Sequence, residues 1–360
     1  MAEPVRVLHV AGSLGLGGTE KVMQLLALHL DRERFSVAVH SPTDGPRGEI
    51  LRAGGIRTYV GPEIERAIAA FRPRLLHLHR AGWPEPALLR RLLPASGPLA
   101  AAIVETNVFG RHDPTPLGAR IDCHLFVSHF CAERFVRSAG ILFAPPRYRV
   151  LYNPVDTDLF ARLCPDPRDL SRPVAGRLSR PDPGKWSALA LDVLPILARE
   201  VPGFRCRIVG GIPAAVDFVR ERGLESCVRF EEPLTTDQDL AGFFSGISVL
   251  LHANDAGESF GLAIAEAMAA GLPVVTHPAA GERDNAQLEL VEHGVTGLVA
   301  ASAGEYAAAV RRLLNHPEEA ARMGRAGRDK AARLFRVQTL ARELGRIYDE
   351  VLAAKGPEAV

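Results

Sequence analysis

Short apolar runs alternate with amphipathic stretches of helical length along most of the chain. Runs at 5–10, 36–40, 57–60, 75–79, 100–105 and 124–127 have the length and near-continuous hydrophobicity of buried strands. Between them, 19–30, 62–71, 85–93 and 128–139 place apolar residues at helical spacing. Repeated strand and helix predict an α/β fold, a parallel sheet with helices on both faces. The alternation then restarts. Strands are expected at 173–178, 205–209, 228–230, 249–251 and 273–276, and helices at 186–200, 214–222, 237–245 and 259–270. Between the two series, 158–172 has prolines and several charges but no period, so 161–172 is the expected linker. From 301 onward the chain reads as helical, ending in a long segment near 337–354. Two doubly wound α/β domains facing a cleft are predicted, each offering the loops at the carboxyl ends of its strands.

The length of 360 residues suits two domains with separate cores. A formal net charge of +1 argues against bulk electrostatic binding to nucleic acid. Cys123, Cys131, Cys164, Cys206 and Cys227 form no pair at metal-ligand spacing, so reduced thiols in a cytoplasmic protein are expected. No signal-peptide pattern opens MAEPVRVLHVAG, and no run approaches the roughly 20 apolar residues that span a bilayer. Membrane contact, if made, is expected from the side. Arg90, Arg91, Arg134 and Arg137 suit either an anionic surface or plain solvation. The abundance of Ala and of Arg over Lys fits a GC-rich bacterial genome.

The most informative run is GESFGLAIAEAMAAGLPVV, from Gly257 to Val275. Asn254–Gly261 is a polar, glycine-punctuated loop between a strand and a helix. Ser259 is the expected N-cap, and backbone N–H groups at that helix start attract phosphate or sugar oxygens. Glu258 stands at the mouth of this loop and Glu266 about two turns into the helix, among alanines and Met268. A carboxylate accepts two hydrogen bonds at once and suits a pair of sugar hydroxyls. The plain structural reading is that Glu258 favours the helix dipole and Glu266 lies on a solvated face.

This run resembles the signature of family 4 retaining glycosyltransferases, through Glu258, Phe260, Gly261, Glu266, Ala267, Met268, Ala269, Gly271, Pro273, Val274 and Val275. The resemblance implies the GT-B fold of two Rossmann-like domains. It places an acceptor-side domain at 1–160 (with 338–360 crossing back to it) and a donor domain at 173–337. It implies that Glu258 and the amides of Phe260 and Gly261 face the transferred sugar, that Ser259 and Leu262 belong to the donor site, and that Glu266 faces the nucleotide ribose. Retention of anomeric configuration is implied, with no metal or other cofactor required.

Three further loops extend the resemblance. The first strand leads into Gly12–Glu20, whose Gly-Gly-x-Glu end is similar to the family's diphosphate-covering loop, which assigns Gly17 and Gly18 to the donor. Glu20 is expected to cap or orient the following helix. At 175–186, AGRLSRPDPGKW is similar to the family's Gly-Arg-Leu…Lys-Gly pattern, so Arg177 and Lys185 are the expected diphosphate cations. The interval between them is longer than in the family, and Arg180 is placed to share or replace one role. By position after strands on the same edge, the backbone at Gly210, Gly211, Phe230 and Glu231 is expected to read the base. On the acceptor side, His77 and His79 end a strand. Relatives often carry a histidine in the next loop, where this chain has Asn107, the remaining catalytic candidate, with His112 further along. Asn153–Asp156 reads as a hinge-side turn.

The expected activity is sugar transfer from a nucleoside diphosphate sugar to a hydroxyl-bearing acceptor, whether lipid, polysaccharide or small molecule. A nucleotide-sugar epimerase or hydrolase of the same architecture is the alternative. A dehydrogenase is disfavoured, because no acidic residue ends the second strand, and a binding module without turnover stays open.

Overall fold

The apolar runs of the first half become seven parallel strands: β1 (Val5–Ala11), β2 (Phe35–Ser41), β3 (Arg57–Val60), β4 (Leu75–Arg80), β5 (Ala102–Asn107), β6 (Cys123–Phe126) and β7 (Tyr148–Val150). They pair in the order β3-β2-β1-β4-β5-β6-β7. Helices α1 (Gly18–His29), α2 (Pro46–Ala53), α3 (Ile64–Phe71), α4 (Pro86–Leu92) and α5 (His129–Ala139) make the crossovers. The computed structural model describes residues 3–92, 101–164 and 166–355; the expected helix end at Leu93 and strand start at Ala100 lie outside them, as do Pro165 and 356–360. Burial on both faces explains the near-continuous apolar runs. One face packs Leu8, Val10, Leu76 and Leu78 beneath Ile64, Phe71 and Leu89. On the other, Ala11 and Val39 meet Met23 and Ala27 of α1.

The second series forms β8 (Val174–Leu178), β9 (Arg205–Val209), β10 (Val228–Glu231), β11 (Val249–Leu251), β12 (Val274–Thr276) and β13 (Gly297–Val299), in the order β10-β9-β8-β11-β12-β13. Around it lie α6 (Thr157–Leu163), α7 (Ala188–Glu200), α8 (Pro213–Glu221), α9 (Asp237–Ser245), α10 (Leu262–Ala269), α11 (Gln287–Leu290), α12 (Ala303–Asn315) and α13 (Pro317–Leu334). Helix α14 (Val337–Lys355) then packs on α1 and β5 of the first sheet.

The chain divides into two compact units, one of Met1–Pro154 with Val337–Val360 and the other of Val155–Arg336. The expected linker 161–172 therefore belongs to the second unit. Asp156 caps α6 by accepting from the Leu159 amide at 2.9 Å, and Phe160 and Leu170 are buried. Arg168 fastens the segment by donating to the carbonyls of Ala270, Phe244 and Ile247. Tertiary anchoring of this kind leaves no periodicity to read.

Strand alternation puts His9 of β1 and His77 and His79 of β4 on one face of the first sheet, with His9 beside His77 in register. All three are buried, and their rings stack, His77 on His79 at 4.3 Å between centroids. The Tyr348 hydroxyl of α14 meets His77 Nδ1 at 2.6 Å, and Thr106 Oγ1 meets its Nε2 at 2.8 Å. His9 Nδ1 lies 2.9 Å from His79 Nε2. Ion pairs of Arg34 with Asp349, Arg149 with Glu350 and Lys355 with Asp122 hold α14 down around this buried polar pair of strands.

Candidate functional site

In the second unit the strand order reverses between β8 and β11, and ligands of open parallel sheets bind at such a switch point, beyond the carboxyl ends of the strands. The loop after β8 is shaped by Asp182, whose carboxylate accepts from the Gly184 amide, and by Trp186, whose indole N–H donates to the Gly210 carbonyl at 3.2 Å. This loop carries Lys185 to the loop after β11, where its Nζ donates to Glu258 Oε1 at 2.8 Å. The same oxygen accepts from Asn254 Nδ2 at 2.9 Å and from His252 Nε2 at 3.2 Å. His252 Nδ1 faces Thr276 Oγ1 at 3.0 Å. That hydroxyl can donate to Nδ1, which leaves the imidazole proton on Nε2, aimed at the carboxylate.

Burial by itself would raise the Glu258 carboxyl. The hydrogen bond from His252 and the charge of Lys185 outweigh it and hold the carboxyl down at about 2. Glu258 is thus ionised, with one oxygen carrying three donors. Among the described residues Oε2 has no hydrogen-bond partner, so it is the oxygen available to a ligand hydroxyl.

Helix α10 begins later than expected, at Leu262, with Gly261 as N-cap at φ 105° and no side-chain cap bond. Ser259 is therefore not the cap. A left-handed backbone at Gly261 turns the chain into the helix, and a serine two residues earlier is out of reach of the role. Leu262 and Ala263, whose amides have no carbonyl one turn back within the helix, are both partly exposed. Phe260 is buried against Phe335, at 5.2 Å between ring centroids. Glu266 is buried at 5% exposure, which removes the reading of it as a solvated face residue.

Of the expected cations, Lys185 meets Glu258 directly, whereas Arg177 lies buried behind Lys185. Arg177 sits within β8 at 4% exposure, its guanidinium 4.3 Å over the Trp186 ring and donating to the Lys185 carbonyl. Burial brings its guanidinium down to about 10. It supports the loop from beneath. Arg180, beyond the strand end, has a side chain 66% exposed near Asp182 and is the cation free to move to a ligand. The longer interval noted in the sequence thus puts Arg180, rather than Arg177, five residues before Lys185.

Gly210 and Gly211 join the neighbouring loops. At Gly210, with φ 83°, a Cβ would lie 1.9 Å from the Ser179 carbonyl oxygen, and at Gly211 one would lie 2.5 Å from the Phe230 ring. Glu231, whose backbone was expected to read the base, has its side chain bound bidentately by Arg207 at 2.6 and 2.9 Å, which leaves its backbone groups outside that ion pair. Gly257 is the most constrained position in the Glu258 loop. It has φ 69°, and a Cβ would lie 1.6 Å from the Asp284 carbonyl oxygen. Gly257→Ala is expected to cost about 2 kcal/mol or more, through the left-handed backbone and the clash. A denaturant midpoint equal to that of the parent chain would refute this account of the loop.

The first unit has a cavity of about 460 Å³ at its own switch point, lined in part by Gly12, Thr19, Glu20, His40, His79, Arg80, Glu85 and Phe109. Gly17 is the N-cap of α1 and Gly18 its first residue, and a Cβ on Gly17 would lie 2.1 Å from Glu20 Oε2. Glu20 does not cap the helix by a hydrogen bond; it accepts from the Ser13 hydroxyl at 2.7 Å. Asn107 is not placed for chemistry. It is 1% exposed, donates to the Arg111 carbonyl at 2.8 Å and accepts from the Arg111 amide at 3.1 Å, which closes the loop after β5. His112 packs edge-on against Phe135, and His77 and His79 belong to the stacked cluster. In that cluster the imidazole nitrogens of His9, His77 and His79 lie within 4.8 Å of one another. His77 has both nitrogens engaged by Tyr348 and Thr106.

His252, Asn254 and Gln287, which accepts from the Glu258 amide at 3.1 Å, were not singled out from the sequence. The available signal was the polar run His252–Asp255 directly after the apolar β11, at the edge where ligands bind.

Residues 173–316 match the family of glycosyl transferases group 1. The GDP-mannose-dependent alpha-(1-6)-phosphatidylinositol monomannoside mannosyltransferase of Mycobacterium tuberculosis is 33% identical over 250 residues, 63% of this chain and 62% of that protein. The D-inositol 3-phosphate glycosyltransferase of Streptomyces avermitilis is 28% identical over 275 residues, 71% of this chain and 56% of that one. This chain thus spans about three fifths of the length of these curated relatives. Among solved structures, Anabaena Alr3699/HepE in complex with UDP and glucose superposes with a TM-score of 0.78 at 20% identity, covering 96% of this chain and 100% of that one. Sucrose-phosphate synthase from Thermosynechococcus elongatus gives 0.70 at 18%, covering 97% and 100%. The fold is the GT-B type expected from the sequence. Among the described residues no helix is long and apolar enough to cross a membrane.

Proposed function

Since residues 173–316 match the glycosyl transferases group 1 family, we propose that this chain is a retaining glycosyltransferase that moves a sugar from a nucleoside diphosphate sugar to a hydroxyl group. The observation that carries the reading is the Lys185–Glu258 pair beyond the switch point of the second sheet. It joins a cation suited to a diphosphate to an ionised carboxylate with one oxygen unengaged. Glu258 Oε2 holds hydroxyls of the donor sugar, and Glu266 serves the ribose. Lys185, Arg180 and the first amides of α10 neutralise the departing diphosphate, where negative charge grows in the transition state. The diphosphate oxygen accepts the acceptor's proton as the new bond forms, so the reaction needs no side-chain base. Gly17 and Gly18 keep a proposed part in donor binding, since glycine lets a backbone approach a diphosphate closely. No metal is assigned a part.

The relatives' names point to guanosine or uridine diphosphate sugars as donors and to inositol-containing acceptors, which the proposal adopts as the first compounds to try. A peripheral encounter with a membrane follows if the acceptor is lipid-borne.

A thermal-shift series with GDP-mannose, UDP-glucose and the free nucleotides tests the donor site. A donor at 100 times its Kd adds about 2.7 kcal/mol to apparent stability. A melting temperature unmoved by every nucleotide and nucleotide sugar would sink the proposal. Product analysis by NMR then reads the anomeric configuration, and an inverted linkage refutes retention. A free epimer formed without acceptor would favour the epimerase instead.

A further inference from the structure

The cavity of the first unit is closed in by apolar walls, with Val10, Leu78, Ile64 and Leu88 among its lining. Its charged groups divide in an informative way. Arg80 lines it but is fully engaged: Nε with Glu105, Nη1 with the Trp83 carbonyl at 2.8 Å, and Nη2 with Asp113 at 3.4 Å. Arg91 is held by both oxygens of Glu65 and by the Pro62 carbonyl. The two carboxylates on the wall are in the opposite condition. Glu20 has one oxygen on the Ser13 hydroxyl, and its other oxygen has no hydrogen-bond partner among the described residues. Glu85 has no hydrogen bond among the described residues; its nearest cation is Arg80 at 3.8 Å. The histidines on this wall, His40 and His79, are lowered from the ordinary imidazole range by burial and are neutral near pH 7.

We infer that this cavity takes an uncharged, hydroxyl-rich acceptor and discriminates against a phosphorylated one. This rests on the glycosyltransferase reading above and deepens it by naming the class of acceptor. An ionised carboxylate only accepts hydrogen bonds, and a phosphate near neutral pH does almost nothing else, so the two repel and leave each other unsatisfied. A polyol or sugar supplies the donors that Glu20 and Glu85 lack, and its C–H faces suit the apolar walls. With both arginines neutralised by Glu105, Asp113 and Glu65, the wall has no cation to offset a phosphate among the described lining residues. Half-burial raises the Glu85 carboxyl against the opposing charge of Arg80, and Glu105 and Asp113 nearby add to the rise.

The test uses the full chain and a donor that the thermal-shift series has shown to bind. Initial rates of nucleoside diphosphate release are measured with myo-inositol and methyl α-mannoside, and with their monophosphates. The expected result is a kcat/KM at least ten-fold higher for an uncharged compound than for its monophosphate. In Glu85→Gln and Glu20→Gln that ratio shrinks, while melting temperature and donor binding stay unchanged. A monophosphate used as well as its uncharged parent overturns the inference, as does a ratio unaltered in both variants. Donor binding with neither class used also overturns it and leaves the donor reading standing; absence of donor binding overturns that reading instead.

Discussion

Lys185→Ala is expected to lower nucleoside diphosphate release by roughly 10²–10³-fold, the range found when one preorganised stabiliser of a developing anion is removed. The lysine has two connected tasks. In the proposed reaction it neutralises the leaving diphosphate; in the structure it shares Glu258 Oε1 with Asn254 and His252, which keeps the carboxylate oriented and ionised. Without Lys185 the carboxyl rises from about 2 but keeps its other two donors. Both side chains of the pair are partly exposed, at 23% and 18%, so the stability loss is discounted to about 1 kcal/mol, toward the surface-pair range. Activity therefore falls far more than stability. Arg180→Ala is expected to slow release with melting unchanged, because its side chain is largely exposed. Arg177→Met shows the reverse order, loss of stability before loss of rate, since Arg177 is buried under Trp186. Lys185→Ala retaining more than a tenth of the parent rate at saturating donor would remove the lysine from the mechanism.

The second large effect is on acid stability. Burial lowers His9 from 6.5 to about 3 and puts His77 and His79 well below their ordinary range, with mutual repulsion adding to the latter two. Below pH 6.5 the unfolded chain takes up protons at these positions and the native first unit does not. Their contribution is therefore intact above about pH 6.5 and lost as pH falls below it, for His9 down to about 3, at about 1.4 kcal/mol per pH unit for each histidine that stays neutral in the fold. Three such groups bring the slope to roughly 4 kcal/mol per unit near pH 5, against a whole-domain stability of about 5–15 kcal/mol. His40 adds in the same direction. In the second unit His277 is lowered by burial and begins to act at the same pH, whereas Glu258, held at about 2, contributes its loss only below pH 4.5. The first unit is thus expected to unfold at a higher pH than the second. Denaturant unfolding at pH 7, 6 and 5 measures the slope for the first unit. A slope below that of one proton between pH 6 and 5 contradicts the account, and His9→Leu should reduce it by about one proton.

Much of the fold was legible because buried parallel strands write themselves as continuous apolar runs. β1, β4, β9 and β11 fall within a residue or so of their expected positions. The short α2, β7, α6 and β13 were not seen, because a few half-buried residues carry no period and owe their conformation to neighbours. At the site, Lys185, Glu258 and Gly261 could be picked out from motif and loop position. The different placement of Arg177 and Arg180 could not, because it depends on which way one side chain leaves β8 and on the Trp186 ring packed against it. Asn107 misled for a related reason. A polar residue at a strand end is as useful for tying a loop or matching an arginine as for meeting a ligand, and only the partners tell the uses apart.

The passage of α14 back to the first sheet bears on how the chain is made. His77 lacks its tyrosine partner, and Arg34 and Arg149 lack their carboxylates, until residues 348–350 have been synthesised. The second unit is contiguous from Val155 to Arg336 and can close as soon as that stretch clears the ribosome. The first unit therefore begins to emerge before the second and is completed after it. Until α14 arrives, its seven strands hold the histidine cluster without the Tyr348 hydroxyl that meets His77 in the finished fold.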